Sequence, residues 1–138
     1  MTTTPNEQTD KTPMTNLNGT QIMASQILRI EDATQLIEHD PRDVYDQLHA
    51  GQAVLVDVRE VSEYENERIP GAFLMPLSFF DADRFPFIPD TRVILMCAVG
   101  KRSAAAAKQL MKAGFRETHH MTGGLTAWKE MGLATDED

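Results

Sequence analysis

Apolar residues are scattered without period through about the first 25 positions, and from Ile27 onward they gather into short runs separated by helix and turn signals. The opening stretch is rich in Thr, Asn, Gln and Pro and cannot offset its ordering entropy, which predicts a flexible polar tail over residues 1–25. A single domain is expected over 26–135, followed by an acidic, solvated end at 136–138.

Within the domain a first short run near Thr34 to Glu38 ends at Asp40-Pro41. Asp40 suits a helix N-cap and proline suits the first helical position, so a helix is expected from Pro41 to about Ala50-Gly51. Ala53 to Val58 reads AVLVDV, a valine-dense run expected of a strand buried on both faces. Ser62 to Glu65 suggests a short helix, Ile69-Pro70-Gly71 a turn and Ala72 to Met75 another strand. Arg92 to Cys97 (RVILMC) is a second strong strand, and Arg102 to Ala113 a helix with Gly114 beyond its end. A strand near Thr118 to Met121 leads through Gly123-Gly124 into a terminal helix carrying Trp128, which is expected in the core. Short buried strands alternating with helices imply an α/β fold with a parallel sheet covered on both faces.

Charge narrows the range of partners. Thirteen Lys and Arg against 21 Asp and Glu give a net charge of -8, which argues against nucleic acid and against acidic membrane surfaces. No run approaches the roughly 20 apolar residues of a membrane span, and the opening MTTTPNEQTD lacks the pattern of a secretory signal, so the cytoplasm is the expected compartment. Cys97 is the only cysteine, so no internal disulfide forms, and its thiol is either buried filler or a nucleophile.

The residues where strands give way to loops decide between these, because ligands of open parallel sheets sit beyond the carboxyl ends of the strands. Cys97 closes its strand and is followed by Ala98, Val99, Gly100, Lys101, Arg102 and Ser103 before the alanine-rich helix. A cysteine there faces unpaired helix N–H groups and the positive end of the helix dipole, both of which favour a thiolate and an anion beside it. Between Val93 and Lys112 there are four basic residues and no acidic one, opposite in sign to the chain as a whole.

CAVGKRS after an apolar strand resembles the active-site loop of single-domain rhodaneses, sulfurtransferases that carry sulfur as a cysteine persulfide. VLVDVREVSEYENERIPGA (Val54 to Ala72) and MTGGLTAWKEMGL (Met121 to Leu133) are similar to two further motifs of that family, in the same order. The resemblance covers roughly Ile30 to Ala134. One departure stands out: Glu67-Arg68 occupies the place where the family usually has Gly-His, leaving the cysteine loop untouched. The resemblance implies a central parallel five-stranded sheet and a sulfurtransferase. Cys97 would be the nucleophile, the 98–103 backbone an anion cradle, Lys101 and Arg102 electrostatic helpers, and Asp57 and Arg59 supporting residues. Arg102 is expected either to attract the donor or to orient the loop by pairing with a carboxylate such as Asp57. Neither metal nor cofactor is needed beyond the covalent persulfide on Cys97. The implied partners are a small sulfur-donor anion such as thiosulfate and a thiol or cyanide acceptor. A sulfur-relay protein, with this chain as carrier or docking module, is the alternative.

Cysteine-dependent phosphatases and arsenate reductases of similar architecture need five residues between cysteine and arginine, and here only four intervene. The missing residue removes about 3.5 Å of chain from a small cradle and weighs against those reactions. His119 and His120 are neighbours on a strand, so they point to opposite faces and do not chelate one ion together. His39 and His49 flank a helix and are expected to be solvated. Phe79, Phe80, Phe85 and Phe87 are expected to pack over a sheet edge, with a partner-docking patch as the alternative.

Overall fold

The computed structural model describes residues 35–137, so the tail expected over 1–25 lies outside the described residues. The strands are β1 (Gln35–His39), β2 (Ala53–Asp57), β3 (Glu67–Arg68), β4 (Phe73–Leu74), β5 (Arg92–Met96), β6 (Glu117–Met121) and β7 (Asp136–Glu137). The helices are α1 (Pro41–His49), α2 (Val61–Asn66), α3 (Lys101–Lys112) and α4 (Gly124–Glu130), with two 3-10 turns at Leu77–Phe79 and Ala82–Arg84. None of the described helices is long and apolar enough to cross a membrane.

Five strands form one sheet in the order β1-β6-β5-β2-β4, every neighbouring pair parallel. This is the expected α/β architecture. Alternation along β5 divides its side chains between two cores: Ile94 and Met96 face a cluster with Val44, Leu55, Ile69, Met121, Leu125 and Trp128. Leu95 and Cys97 face the opposite cluster with Val56, Val58, Ala106, Ala107 and Leu110. Trp128 is buried, as expected, and its indole N–H donates to Ala134 O at 2.8 Å. Ala106 and Ala107 have no exposed surface, and their small side chains let α3 lie close against the sheet beneath the end of β5.

Local signals hold where chemistry is local. Asp40 Oδ1 accepts from Asp43 N–H at 2.8 Å with Pro41 opening α1. The strand expected over Ala72 to Met75 shortens to Phe73–Leu74, and α3 starts at Lys101, one residue earlier than expected. Asp136 and Glu137 are exposed, and they pair antiparallel with Arg68 and Glu67. Thr135 Oγ1 and Lys129 Nζ both donate to the Glu67 carboxylate, at 2.7 and 2.8 Å, and hold that ribbon in place. The phenylalanines divide: Phe80 and Phe85 pack with Phe115 against the α3-side core, whereas Phe79 and Phe87 are 77% and 82% exposed.

Candidate active site

β5 ends at the centre of the sheet, and the chain turns sharply from Cys97 into α3. Gly100, the residue before α3, sits at φ 101°, a conformation open chiefly to glycine, and a Cβ there would meet Gly123 N at 3.3 Å. With glycine at the N-cap, no side chain there satisfies the orphan amides of the first turn. The cysteine sulfur takes that place. Cys97 Sγ accepts from Gly100 N–H at 3.1 Å and from Ser103 N–H at 3.3 Å, and lies 3.6 Å from Ser103 Oγ.

The following helix turns the loop carbonyls away from the sulfur. Leu125 N–H donates to Cys97 O at 2.8 Å and Thr126 N–H to Ala98 O at 3.1 Å. This contact requires glycine at 124, because a Cβ on it would lie 2.3 Å from Cys97 O. The carbonyls of Cys97 and Ala98 are thus spoken for by α4, and amides of the loop face Sγ. Burial pushes the thiol up, but hydrogen bonds from the Ser103 backbone and hydroxyl, Gly100 and Val99 outweigh it, so Cys97 ionises below its ordinary range.

The charged residues divide by role. Lys101 is exposed at the first position of α3 and Val99 is exposed beside it. Arg102 does not reach Asp57. It pairs with Glu63, Nη1 to Oε1 at 2.8 Å and Nη2 to Oε2 at 3.0 Å, and this corrects the Asp57 pairing considered from sequence. Asp57 is unavailable because Arg59, two residues on, saturates it: Nε lies 3.0 Å from both carboxylate oxygens and Nη2 lies 2.8 Å from Oδ2. Both members are almost fully buried, and Arg59 also donates to Glu67 O at 2.7 Å. Asp57 and Arg59 therefore brace the end of β2 against α2, and Glu63 passes that support to α3 through Arg102.

His120 and Glu38 were not apparent as site residues in the sequence. His120 is buried on the α3 face of the sheet, with Nδ1 2.9 Å from Ser103 Oγ and Nε2 3.2 Å from Glu38 Oε2. His119 turns to the other face, as strand alternation requires, and meets His39 Nε2 at 2.8 Å. His39 is half-buried, against the expectation of solvation; burial first, and then the His119 ring, hold it below the ordinary imidazole value. His49 is exposed, as expected. Only Glu38 and His120, paired in register between β1 and β6, could have hinted at this arrangement, and that pairing spans 82 residues of sequence.

The family profile described as "Rhodanese-like domain" matches residues 40–131. The chain is 40% identical over 82 residues to the uncharacterized protein slr1261 of Synechocystis, covering 59% of this chain and 46% of that one. It is 37% identical over 91 residues to a probable adenylyltransferase/sulfurtransferase, MoeZ, of Mycobacterium tuberculosis, covering 64% and 23%. The chain thus spans less than half the length of either relative. Among solved structures, a thiosulfate sulfurtransferase of Pseudomonas aeruginosa superposes with a TM-score of 0.63 at 28% identity, covering 80% of this chain and 22% of that one.

Proposed function

Because the chain belongs to the rhodanese-like family, we propose that it is a sulfurtransferase acting in the cytoplasm, with Cys97 as nucleophile and persulfide carrier. The observation that carries this reading is the pair of backbone N–H groups, from Gly100 and Ser103, converging on Cys97 Sγ. Amides so placed favour a thiolate before reaction and a negatively charged persulfide after it, with no metal or cofactor required.

With thiosulfate as donor, the Cys97 thiolate attacks the outer sulfur. A new S–S bond forms to Sγ, the old S–S bond breaks, and sulfite leaves with the electron pair. Cyanide or a thiolate then attacks the outer persulfide sulfur and returns Cys97 to thiolate. Lys101, exposed at the mouth of the loop, attracts the anionic donor. Arg102, committed to Glu63, orients α3 instead. That commitment, with the four-residue spacing from Cys97, also weighs against phosphate or arsenate as substrate.

A second reading rests on the similarity to a sulfurtransferase several times longer than the matched segment. In that reading the domain receives persulfide sulfur from a partner protein and passes it on. Intact-mass analysis of the purified protein before and after thiosulfate tests both. The sulfurtransferase reading expects one added sulfur atom, absent from Cys97→Ser. A protein that gains sulfur only from a protein-borne persulfide is a carrier, and one that gains none from either donor is not a sulfurtransferase.

A further inference from the structure

The proposed chemistry needs Cys97 to give up its proton, and in this structure the residue is buried with Ser103 beside its sulfur. One route is built into the fold. Ser103 Oγ stands 3.6 Å from Cys97 Sγ, His120 Nδ1 2.9 Å from Ser103 Oγ, and Glu38 Oε2 3.2 Å from His120 Nε2. Exposure rises along this line from nothing at Cys97 and Ser103, through 4% at His120, to 61% at the Glu38 side chain. Resting on the sulfurtransferase reading, we infer that Ser103, His120 and Glu38 form a proton conduit that takes the Cys97 proton to solvent and ties the state of the sulfur to that of the imidazole.

The step balances without any outside reagent. The S–H proton moves to Ser103 Oγ as the Ser103 hydroxyl proton moves to His120 Nδ1. The electron pair of the S–H bond stays on sulfur, and the imidazolium donates through Nε2–H to the Glu38 carboxylate, which releases the proton to water. Afterwards Nδ1–H donates to Ser103 Oγ and the serine hydroxyl donates to the thiolate, so the same atoms that removed the proton stabilise the charge left behind.

Other charges face the ends of this line. Arg102 on α3 and the buried Asp57–Arg59 pair at the end of β2 lie on the Cys97 side. Around His120 stand Glu38 and His39 on β1, with His119 beside it on β6. Of these, Glu38 alone is hydrogen-bonded to the ring at Nε2. His120 touches neither sulfur nor donor, and so it is a positioning residue acting through Ser103.

The test is the pH dependence of Cys97 alkylation by iodoacetamide, which needs no sulfur transfer, in wild type, Ser103→Ala, His120→Gln and Glu38→Gln. Ser103→Ala is expected to slow alkylation at neutral pH about tenfold, the size of one lost charge-assisted hydrogen bond. His120→Gln and Glu38→Gln are each expected to displace the wild-type profile. A profile unchanged in folded His120→Gln overturns the conduit. Should that variant fail to fold, nitrogen NMR of the His120 ring gives the answer. Its resonances should move over the pH range in which Cys97 ionises in wild type and should not do so in Cys97→Ser; the same titration in both overturns the inference. A protein that shows this coupling but gains no sulfur from any donor keeps the conduit and loses the proposed function.

Discussion

Arg102 and Glu63 meet in a two-pronged ion pair that joins the first turn of α3 to the first turn of α2, so the helix beneath the Cys97 sulfur is held from the side. The Arg102 guanidinium, hydrogen-bonded to Glu63, holds that carboxyl at about 2 against an ordinary 4.5. The depressed value means that the pair's stability is fully present above pH 4.5 and is lost as pH falls towards 2. About a third of each side chain is exposed, and screening keeps the contribution to about 1 kcal/mol. Glu63→Gln should lower the melting temperature by about 4 °C at neutral pH and flatten the acid loss, read by thermal melts between pH 7 and pH 2.

Among the described glycines, Gly124 is the one least tolerant of a side chain. It lies at φ 60°, and a methyl group there meets the Cys97 carbonyl oxygen at 2.3 Å and Ala98 C at 2.5 Å, both backbone atoms. Gly124→Ala should cost about 3 kcal/mol in denaturant unfolding. It should also release the Cys97 and Ala98 carbonyls from α4, so sulfur loading should fall even where the variant remains folded.

The two classes of phenylalanine separate by experiment. Phe85 packs edge-on to Phe115 with ring centroids 5.8 Å apart, and Phe85→Ala should destabilise the domain by about 2–3 kcal/mol. Phe79→Ser and Phe87→Ser remove rings that already face solvent, and should change stability by less than about 0.5 kcal/mol. Equal losses in all three variants would contradict the packing described.

Lys101 is the exposed cation of the loop, free of the carboxylate that occupies Arg102. Lys101→Ala should raise KM for thiosulfate about threefold at low salt, and added salt should erase the difference from wild type. Unchanged thiosulfate kinetics with slower transfer from a protein-borne persulfide would move the domain to the carrier role.

Much of this was legible in the sequence wherever partners are close along the chain. The valine-rich run of β2 and the apolar run ending at Cys97 are too uniformly hydrophobic for anything but buried strands, and the Cys97 loop closes on itself within six residues. Long-range polar partners were not legible. Asp57 looked available to Arg102 until Arg59 proved to saturate it, and Glu63 lies 39 residues from Arg102 on a different element. His120 and His39 looked unremarkable because Glu38 and His119 become their neighbours only when β1 lies beside β6, and Ser103 reaches His120 only when α3 packs on β6. The ribbon of β3 and β7 carries two charged residues on each strand and has no apolar alternation to announce it.

Among the described strands β1 stands at the end of the sheet and is bonded to β6 alone, whereas β5 is bonded on both sides. Local opening draws first on such lightly held segments, so amide hydrogens of β1 should exchange with solvent faster than those of β5. Glu38 and His39 both belong to β1, whereas Gly100 and Ser103 belong to the turn and helix that follow β5. A brief detachment of β1 would take the carboxylate from His120 and leave both amides on the sulfur. In the proposed chemistry, the speed at which Cys97 exchanges its proton and the affinity with which it holds a charged sulfur would then be set by separately cooperative parts of the domain, and substitutions in β1 would change the first without the second.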